Sequence, residues 1–200
     1  MNYDEIRAQL EKRGYQVSCF ATAKEAADYL NREIDGVSVG FGGSVTAEDM
    51  GLYESLGTHN QVVSHWHPAE GTTADEMRMQ AMTTDIYICS SNALSKTGEL
   101  VNIDGTGNRL AAMLFGHKKV YYVIGKNKLA DTLEDAIFRA RNVASPKNAV
   151  RLKRKTPCAV TGSCQDCKSP DRMCRGMLIL WEKMTSCEAE VVLIDEELGY

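Results

Sequence analysis

The first two thirds of the chain alternate between two hydrophobic patterns. In one, apolar residues recur every three or four positions, which predicts amphipathic helices. The segments with this pattern are 6–10, 23–30, 47–56, 74–82 and 129–140. In the other, β-branched and aromatic residues form short runs bounded by Gly, Asp or Asn, which predicts strands. These runs are 15–20, 36–41, 61–64, 85–89 and 119–124. The alternation predicts an α/β fold with three layers, α/β/α, in which helices cover both faces of a mostly parallel sheet.

One interruption of this alternation predicts a hairpin. Residues 93–104 contain two strand-like runs on either side of Thr97-Gly98, a typical turn sequence. A helix is expected to follow over 105–115.

A second interruption lies near the end of the chain. Residues 151–176 are first basic and then rich in cysteine, and we expect them to form a cysteine-rich loop before the last strand. The pattern predicts a helix over Met177–Met184 and that last strand over Glu190–Ile194. With no repeat and no low-complexity linker, residues 1–200 are predicted to form a single α/β domain.

Composition excludes several classes of protein. The chain has 200 residues, of which 44% are hydrophobic, so it can bury a full core. Its 23 basic and 27 acidic residues give a net charge of −4, which disfavours nucleic acid as a partner. No apolar run approaches the ~20 residues that span a bilayer, and the charged N-terminus is unlike a signal peptide. We therefore expect a cytoplasmic protein without a membrane span.

A glycine-rich segment follows the predicted strand 36–41. Glycine lets backbone N–H groups approach an anion, and the start of a helix adds partial positive charge. This loop is therefore predicted to bind an anion or a small molecule. Its expected ligand-binding residues are Gly40, Gly42, Gly43, Ser44 and Thr46. The alternative is an ordinary tight turn with a Ser or Thr helix cap.

A polar segment follows the predicted hairpin. In α/β sheets ligands lie outside the carboxyl ends of strands, so these side chains are predicted to line a pocket. The catalytic candidates are Glu99 and Asp104 as acid or base, and Arg109, which could bind a carboxylate or phosphate. The expected ligand-binding residues are Asn102, Gly105 and Asn108. In the alternative interpretation Asp104 caps a turn and Arg109 is its ion-pair partner.

Four of the seven cysteines lie close together, at Cys158, Cys164, Cys167 and Cys174. Four thiolates in a short loop can bind a metal ion or an iron–sulfur cluster, and zinc is not excluded. An odd cysteine count without a secretion signal argues against a disulfide framework. Disulfides and unrelated free thiols remain the alternatives.

His65 and His67 follow the predicted strand 61–64. Residues two apart in an extended chain share a face, so both imidazoles could face the pocket or bind one metal. A surface turn that ends at Pro68 is the other interpretation.

Taken together, these segments resemble the LUD (lactate utilisation) domain family. The matching parts are 40–46, 97–109, 115–120 and 158–167 with Cys174. The resemblance implies a fold related to the NagB/RpiA/CoA-transferase superfamily, whose members bind sugar phosphates, CoA thioesters or nucleotides near strand ends. By this likeness, residues 40–46 match the ligand loop of the superfamily. The chain lacks the paired ferredoxin cysteine runs of some relatives, and its cysteine tail is similar to that of a short stand-alone subgroup.

The leading functional hypothesis is therefore a lactate-utilisation-type protein that binds a small anionic metabolite, either phosphorylated, a carboxylate or of CoA type. The cysteine cluster would link it to redox and organic-acid metabolism, with a redox protein as a partner. One alternative is a non-catalytic, metal- or redox-responsive subunit of an electron-transfer complex. A nucleic-acid binder that uses the basic run beside the cysteines is the weakest alternative. The sequence does not decide whether the protein is an enzyme, and it leaves a homo-oligomer open.

Overall fold

The computed structural model describes residues 3–200. The helices are α1 (Asp4–Lys12), α2 (Ala23–Glu33), α3 (Val45–Asp49), α4 (Leu52–Leu56), α5 (Ala74–Ala81), α6 (Asn108–Leu114), α7 (Leu133–Arg139), α8 (Ser145–Arg151) and α9 (Pro157–Thr161). The strands are β1 (Gln16–Phe20), β2 (Ser38–Phe41), β3 (Gln61–Ser64), β4 (Ile86–Cys89), β5 (Ala93–Ser95), β6 (Leu100–Asp104), β7 (Lys119–Gly125), β8 (Leu129–Ala130), β9 (Gly176–Leu180) and β10 (Glu188–Ile194). A 3₁₀ turn (Lys126–Lys128) links β7 to β8, and a π-helical turn (Ala140–Ala144) joins α7 to α8.

The main sheet has six strands in the order β1-β10-β7-β4-β2-β3, and every neighbouring pair is parallel. The last strand lies between two others, because Val191 pairs with Val17 on one side and with Tyr122 on the other. The predicted mostly parallel sheet is confirmed. Parallel strands place all their carboxyl ends at one edge, which is where ligand sites form in such folds.

Helices cover both faces of this sheet. Helices α2, α3 and α4 pack on one face through a cluster that includes Leu30, Leu52 and Leu56. Helices α1, α5 and α6 pack on the other face through a second cluster that includes Leu10 and Met113. The predicted three-layer α/β/α arrangement is therefore confirmed. In residues 3–200 no helix is both long and apolar enough to cross a membrane.

A smaller sheet has the order β8-β5-β6-β9. The predicted hairpin is present, with Leu94 paired to Leu100 in antiparallel β5 and β6. The predicted helix over Met177–Met184 is wrong, because this segment begins as β9 and pairs antiparallel with β6. The apolar residues of this run are compatible with both the helical and the strand pattern. The edge of β6 offers backbone hydrogen-bond partners, and these favour the strand. A strand of the second sheet thus stands between the cysteine-rich loop and the last strand of the chain.

Two predicted helices differ in extent from the observed ones. The segment 47–56 forms two short helices, because Gly51 adopts a left-handed conformation with φ of 61°. The segment 129–140 begins as β8, and its helix starts only after Thr132, whose side chain accepts a hydrogen bond from the N–H of Asp135. A capping hydroxyl at this position fixes the helix start four residues later than the apolar pattern suggests.

Candidate functional site

A cavity of about 300 Å³ opens at the carboxyl edge of the main sheet. Ser44, His65 and Ser90 line it, and they follow the ends of β2, β3 and β4. Asp104 at the end of β6 contributes from the second sheet. Of the ligand and catalytic residues predicted from sequence, those that line this cavity are Gly43, Ser44, Asp104, Gly105, Asn108 and Arg109. The fold thus brings the two predicted loops together at one site.

Close packing leaves little space for a β-carbon at the glycines of the first loop. A β-carbon at Gly40 would lie 2.6 Å from the carbonyl oxygen of Ala81. One at Gly42 would lie 2.9 Å from the hydroxyl of Tyr87, and one at Gly43 would lie 3.1 Å from the ring of Trp66. Gly40 and Gly42 therefore shape the cavity from behind it, and only Gly43 lines it.

The hydroxyl residues of the same loop have internal partners. The side chain of Ser44 caps α3 by accepting a hydrogen bond of 3.2 Å from the N–H of Ala47. Thr46 is fully buried, and its hydroxyl donates to the carbonyl oxygen of Leu198 and accepts from Nζ of Lys128. The cap is what the alternative interpretation expects, while Thr46 contacts Lys128, a buried lysine that the sequence analysis did not single out.

Arg109 is held by uncharged acceptors. Its Nη1 donates to Oδ1 of Asn102 at 2.6 Å and to the carbonyl oxygen of Ser90 at 3.2 Å. Its Nη2 donates to the carbonyl oxygen of Ile103 at 2.7 Å and to Oδ1 of Asn92 at 3.2 Å. These four bonds occupy the four Nη hydrogens. The guanidinium therefore clamps β6 to the cavity wall, and no carboxylate in residues 3–200 pairs with it to offset its positive charge.

Asp104 has one satisfied and one unsatisfied carboxylate oxygen. Its Oδ1 accepts from the N–H groups of Gly105 at 2.7 Å and Thr106 at 3.2 Å, the turn-capping role that the alternative interpretation assigned to it. Its Oδ2 is buried and has no hydrogen-bond partner within residues 3–200. An ion pair between Asp104 and Arg109 is not formed in that range either.

Three further buried polar atoms at this site lack partners among the described residues. They are Nδ1 of His65, Nε of Arg78 and Nδ2 of Asn102. His65 and Arg78 line the cavity, whereas Asn102 lies directly behind it, in contact with Arg109. An unpaired buried polar atom costs roughly 1–3 kcal/mol, so such a group of atoms is typical of a site that a polar ligand completes.

The two histidines predicted from the His-x-His pattern diverge. His65 lines the cavity, and burial lowers its pKa, an effect to which Arg78 and Arg151 add. His67 points elsewhere, since its ring stacks on Tyr53 and its Nε2 lies 3.0 Å from Oε2 of Glu48.

Positive charge dominates the cavity wall. Among residues 3–200, four guanidinium groups line it, and the carboxylate of Asp104 is the single acidic side chain that does so. The four are Arg78, Arg109, Arg151 and Arg154. Arg151 lies over the ring of Trp66, 4.6 Å from the ring centroid, and donates to the hydroxyl of Tyr200 at 2.7 Å. An excess of fixed positive charge in a concave site attracts anions.

Lys128 is a cavity residue that sequence analysis missed. Only 3% of this residue is exposed, and its Nζ donates hydrogen bonds to the hydroxyls of Thr46 at 2.7 Å and Ser90 at 2.8 Å. Burial lowers the pKa of Lys128 to about 7, and the nearby charges of Arg139 and Arg109 act in the same direction. One feature of the sequence indicates it as a site residue: Lys128 follows β7 closely, so it lies at the same edge of the sheet as the predicted loops.

Glu99 does not line the cavity. It precedes β6, whereas Asp104 ends it, so the two carboxylates lie at opposite ends of one strand. Its Oε1 pairs with Nη2 of Arg13 at 2.5 Å, and its Oε2 accepts from the hydroxyls of Ser95 and Thr97. In this position Glu99 holds the hairpin turn against the end of α1.

The cysteine-rich loop packs against the cavity. The carbonyl oxygen of Met173 would lie 2.5 Å from a β-carbon at Gly105, and the N–H of Arg175 donates to the carbonyl oxygen of Asp104 at 2.9 Å. Glycine at 105 is therefore required for this contact. The loop and the cavity share a wall, so a change in one can reach the other.

The four cysteines of this loop are free thiols of intermediate exposure. In the described chain no three of their sulfur atoms lie within 4.8 Å of one another. Zinc–sulfur bonds of about 2.3 Å place the sulfurs of a tetrahedral site roughly 3.8 Å apart. A metal held by Cys158, Cys164, Cys167 and Cys174 would therefore require the loop to close around the ion. Arg172 already organises part of this loop by donating to the carbonyl oxygens of Cys167 at 2.7 Å and Cys174 at 3.0 Å.

Comparison with known proteins gives one family-level match. A family model described as LUD domain matches residues 3–194. Among solved structures, a DUF162 family protein from Deinococcus radiodurans has a TM-score of 0.54 at 13% identity, covering 97% of this chain and 99% of that one. Ribose 5 phosphate isomerase A from Neisseria gonorrhoeae has a TM-score of 0.35 at 14% identity, covering 56% of this chain and 54% of that one.

A curated relative matches part of the chain. Elongation factor Ts from Bartonella tribocorum (strain CIP 105476 / IBS 506) is 28% identical over 131 residues, which is 59% of this chain. The match covers 41% of the elongation factor, so the chain spans about two fifths of the length of this relative.

Proposed function

Because the chain belongs to the LUD domain family and is a lactate-utilisation-type protein, we propose that its cavity binds a small anionic metabolite carrying a carboxylate or phosphate group. The proposal goes beyond the family assignment, because the match to the family model does not identify what this cavity binds. The observation that carries it is the charge of the cavity wall, where four guanidinium groups face one carboxylate.

The arginines of the cavity differ in how many N–H groups they can donate to such a ligand. The Nη atoms of Arg109 are committed to the protein, so Arg109 contributes charge and leaves only its Nε–H free. Arg78 retains an unpaired buried Nε, although its Nη1 pairs with the exposed carboxylate of Asp75. Arg78 is therefore the guanidinium that we expect to donate directly to the ligand, since a charged hydrogen bond contributes about 1.5–3 kcal/mol.

The polar atoms opposite the arginines select for more than charge. Oδ2 of Asp104 lacks a donor within residues 3–200, and the hydroxyl group of a hydroxy acid or a sugar phosphate would supply one. Nδ1 of His65 can accept or donate when the imidazole is neutral, the form that its lowered pKa favours. An anion that also carries a hydroxyl group satisfies both sides of the cavity.

The size of the cavity favours a compact ligand. Its volume of about 300 Å³ is at the lower end of the range of roughly 300–1,000 Å³ for small-molecule sites. A metabolite of a few carbon atoms fits this volume better than a complete CoA thioester. Of the three ligand types expected from the sequence, the geometry therefore favours the carboxylate and the phosphorylated metabolite.

Thermal unfolding with a panel of small anions tests this proposal. The probes are L-lactate, pyruvate, inorganic phosphate and ribose phosphate, each compared with chloride at equal ionic strength. A ligand that binds only the folded protein stabilises it by about 2.7 kcal/mol at one hundred times its Kd. We expect at least one probe to raise the Tm, and Arg78→Gln to reduce that rise.

The matched control is Arg7→Gln, because Arg7 is an exposed residue of α1 that pairs with Glu11 at 2.8 Å. This variant should keep the response of the wild type. The proposal is wrong if no probe changes the Tm beyond the effect of chloride, or if the two arginine variants respond alike.

A further inference from the structure

The amine of Lys128 is almost completely buried. Its hydrogen-bond partners are two hydroxyls, those of Thr46 and Ser90. The C-terminal segment covers it, since a β-carbon at Gly199 would lie 3.3 Å from Nζ. The charged groups that face it are the guanidiniums of Arg109 and Arg139, with Asp49 as the opposing carboxylate, while Cys89 is a buried thiol. Within residues 3–200 no carboxylate forms an ion pair with this amine.

The hydrogen bonds of Lys128 match those of a neutral amine. A neutral primary amine has two N–H donors and one lone pair, whereas an ammonium group has three donors and no lone pair. The two observed bonds use both N–H donors of the neutral form. The lone pair is then left without a partner, and Lys128 is one of the residues that line the cavity. A desolvated amine of this kind is a nucleophile.

We propose that Nζ of Lys128 forms an imine with the carbonyl carbon of a small anionic aldehyde or ketone bound in the cavity. The inference rests on the proposed function, because the anionic group of the substrate is held by the arginines. It adds the chemical class of the reacting group, an oxo acid or a phosphorylated aldehyde or ketone.

The reaction balances without an oxidant or a reductant. The lone pair of Nζ attacks the carbonyl carbon, a C–N bond forms, and the carbonyl oxygen takes up a proton. The carbinolamine then loses this oxygen together with two protons as water, which leaves a C=N bond to Lys128. The hydroxyls of Ser90 and Thr46 already contact Nζ, so they are placed to carry protons between the amine and the oxygen.

Lys126 provides a matched control two residues away. Its side chain is 37% exposed, and its Nζ lies 3.2 Å from the carboxylate of Asp195. Lys126 is partly exposed and has a carboxylate partner, whereas Lys128 is buried and contacts two hydroxyls, so Lys126 is the residue against which reaction at Lys128 is compared. The two lysines therefore differ in environment while they share one turn of the chain.

The test uses pyridoxal phosphate and glyoxylate as probes near neutral pH, because each combines an aldehyde with an anionic group. The imine with pyridoxal phosphate is followed by its visible absorbance, and both adducts are fixed by borohydride and located by peptide mass mapping. We expect modification of the wild type at Lys128 that inorganic phosphate suppresses. Lys126→Arg should react like the wild type, and Lys128→Arg should lose at least nine tenths of the specific adduct.

Two results separate this inference from the proposed function. If anions raise the Tm but no adduct forms at Lys128, the imine is wrong and the anion site stands. If anions have no effect on the Tm and the adducts scatter over exposed lysines, both proposals fail. The mapping of the wild type with and without phosphate requires no variant, so the inference stays testable even if Lys128→Arg does not fold.

Discussion

Oδ1 of Asn102 accepts a hydrogen bond of 2.6 Å from Nη1 of Arg109. The contact joins the middle of β6 to the first turn of α6, which places the guanidinium beside the cavity. Because Asn102 is neutral, it orients the guanidinium without cancelling its charge. Arg109 therefore makes structural hydrogen bonds and still contributes positive charge to the cavity.

Arg109→Lys should destabilise the protein while it keeps the charge. Lysine cannot reproduce a planar fork with four Nη hydrogens, so buried acceptors such as the side chain of Asn102 lose their donor. We expect the free energy of unfolding in urea to fall by about 1–3 kcal/mol. Arg7→Lys on the exposed face of α1 should stay within about 0.5 kcal/mol of the wild type. Equal stability of the two variants would contradict the clamp.

Glu99→Gln separates a structural carboxylate from a catalytic one. Although burial alone raises the pKa of Glu99, hydrogen bonds from Ser95 and Thr97 and the charge of Arg13 lower it overall. A lowered pKa means that ionised Glu99 stabilises the folded state above the pKa of the unfolded chain, and that this contribution is lost on acidification. The free energy of unfolding of the variant should be about 1–3 kcal/mol lower than that of the wild type at neutral pH. This difference should shrink below about pH 4.

The affinity of Glu99→Gln for the ligand that raises the Tm is the decisive second readout. Because Glu99 lies at the far end of β6 from the cavity, its Kd should equal that of the wild type. A large rise in Kd, or a loss of turnover with unchanged stability, would return Glu99 to the catalytic candidates.

Lys128 should make the free energy of unfolding increase between neutral and alkaline pH. Its pKa is lowered from 10.5 to about 7 in the folded state, so between these values the unfolded chain binds more protons than the folded one. Stability from this residue therefore rises with pH, by up to about 1.4 kcal/mol per pH unit. The wild type and Lys128→Met are unfolded in urea, both with reductant, at a series of pH values. From about pH 7 to 10 the free energy of unfolding of the wild type should rise relative to that of the variant. Parallel profiles would show that Lys128 is charged in the folded protein.

The cysteine-rich loop is still predicted to hold a metal. Metal and acid-labile sulfide analysis on protein purified without oxygen should find iron with sulfide or about one zinc per chain. Cys164→Ser should lower the metal content, and Cys19→Ser should not, because Cys19 is an exposed residue of β1 outside the loop. Four free thiols without metal would contradict the prediction and leave the loop as a thiol or disulfide site.

Much of the fold could be predicted because its strands are locally distinct. The nearly continuous apolar run 120–124 lies in β7 at the centre of the sheet, and the turn at Thr97-Gly98 lies in the hairpin between β5 and β6. The strand Gly176–Leu180 was not predictable in the same way. Its apolar residues fit a helix equally well, and only its partner β6, more than seventy residues earlier, decides the outcome.

Sequence patterns indicate those cavity-lining residues that are neighbours in the chain. Asp104 and Arg109 lie in one polar segment at a strand end, and both line the cavity. Arg78, Lys128 and Arg151 come from three separate helical segments, and each looks like an ordinary surface cation in the sequence. Their convergence depends on the order of strands in the sheet, which local patterns do not encode.

The most direct test of anion binding uses Trp66 as a reporter inside the cavity. The chain has two tryptophans, and Trp181 is 67% exposed, so Trp181→Phe leaves the fluorescence of Trp66 alone. Titration of this variant with lactate, pyruvate, inorganic phosphate and ribose phosphate should give a saturable change for at least one of them. The change should be competed by a second anion and weakened in the Arg78→Gln background. A linear response to every anion, identical to that of chloride, would contradict the account.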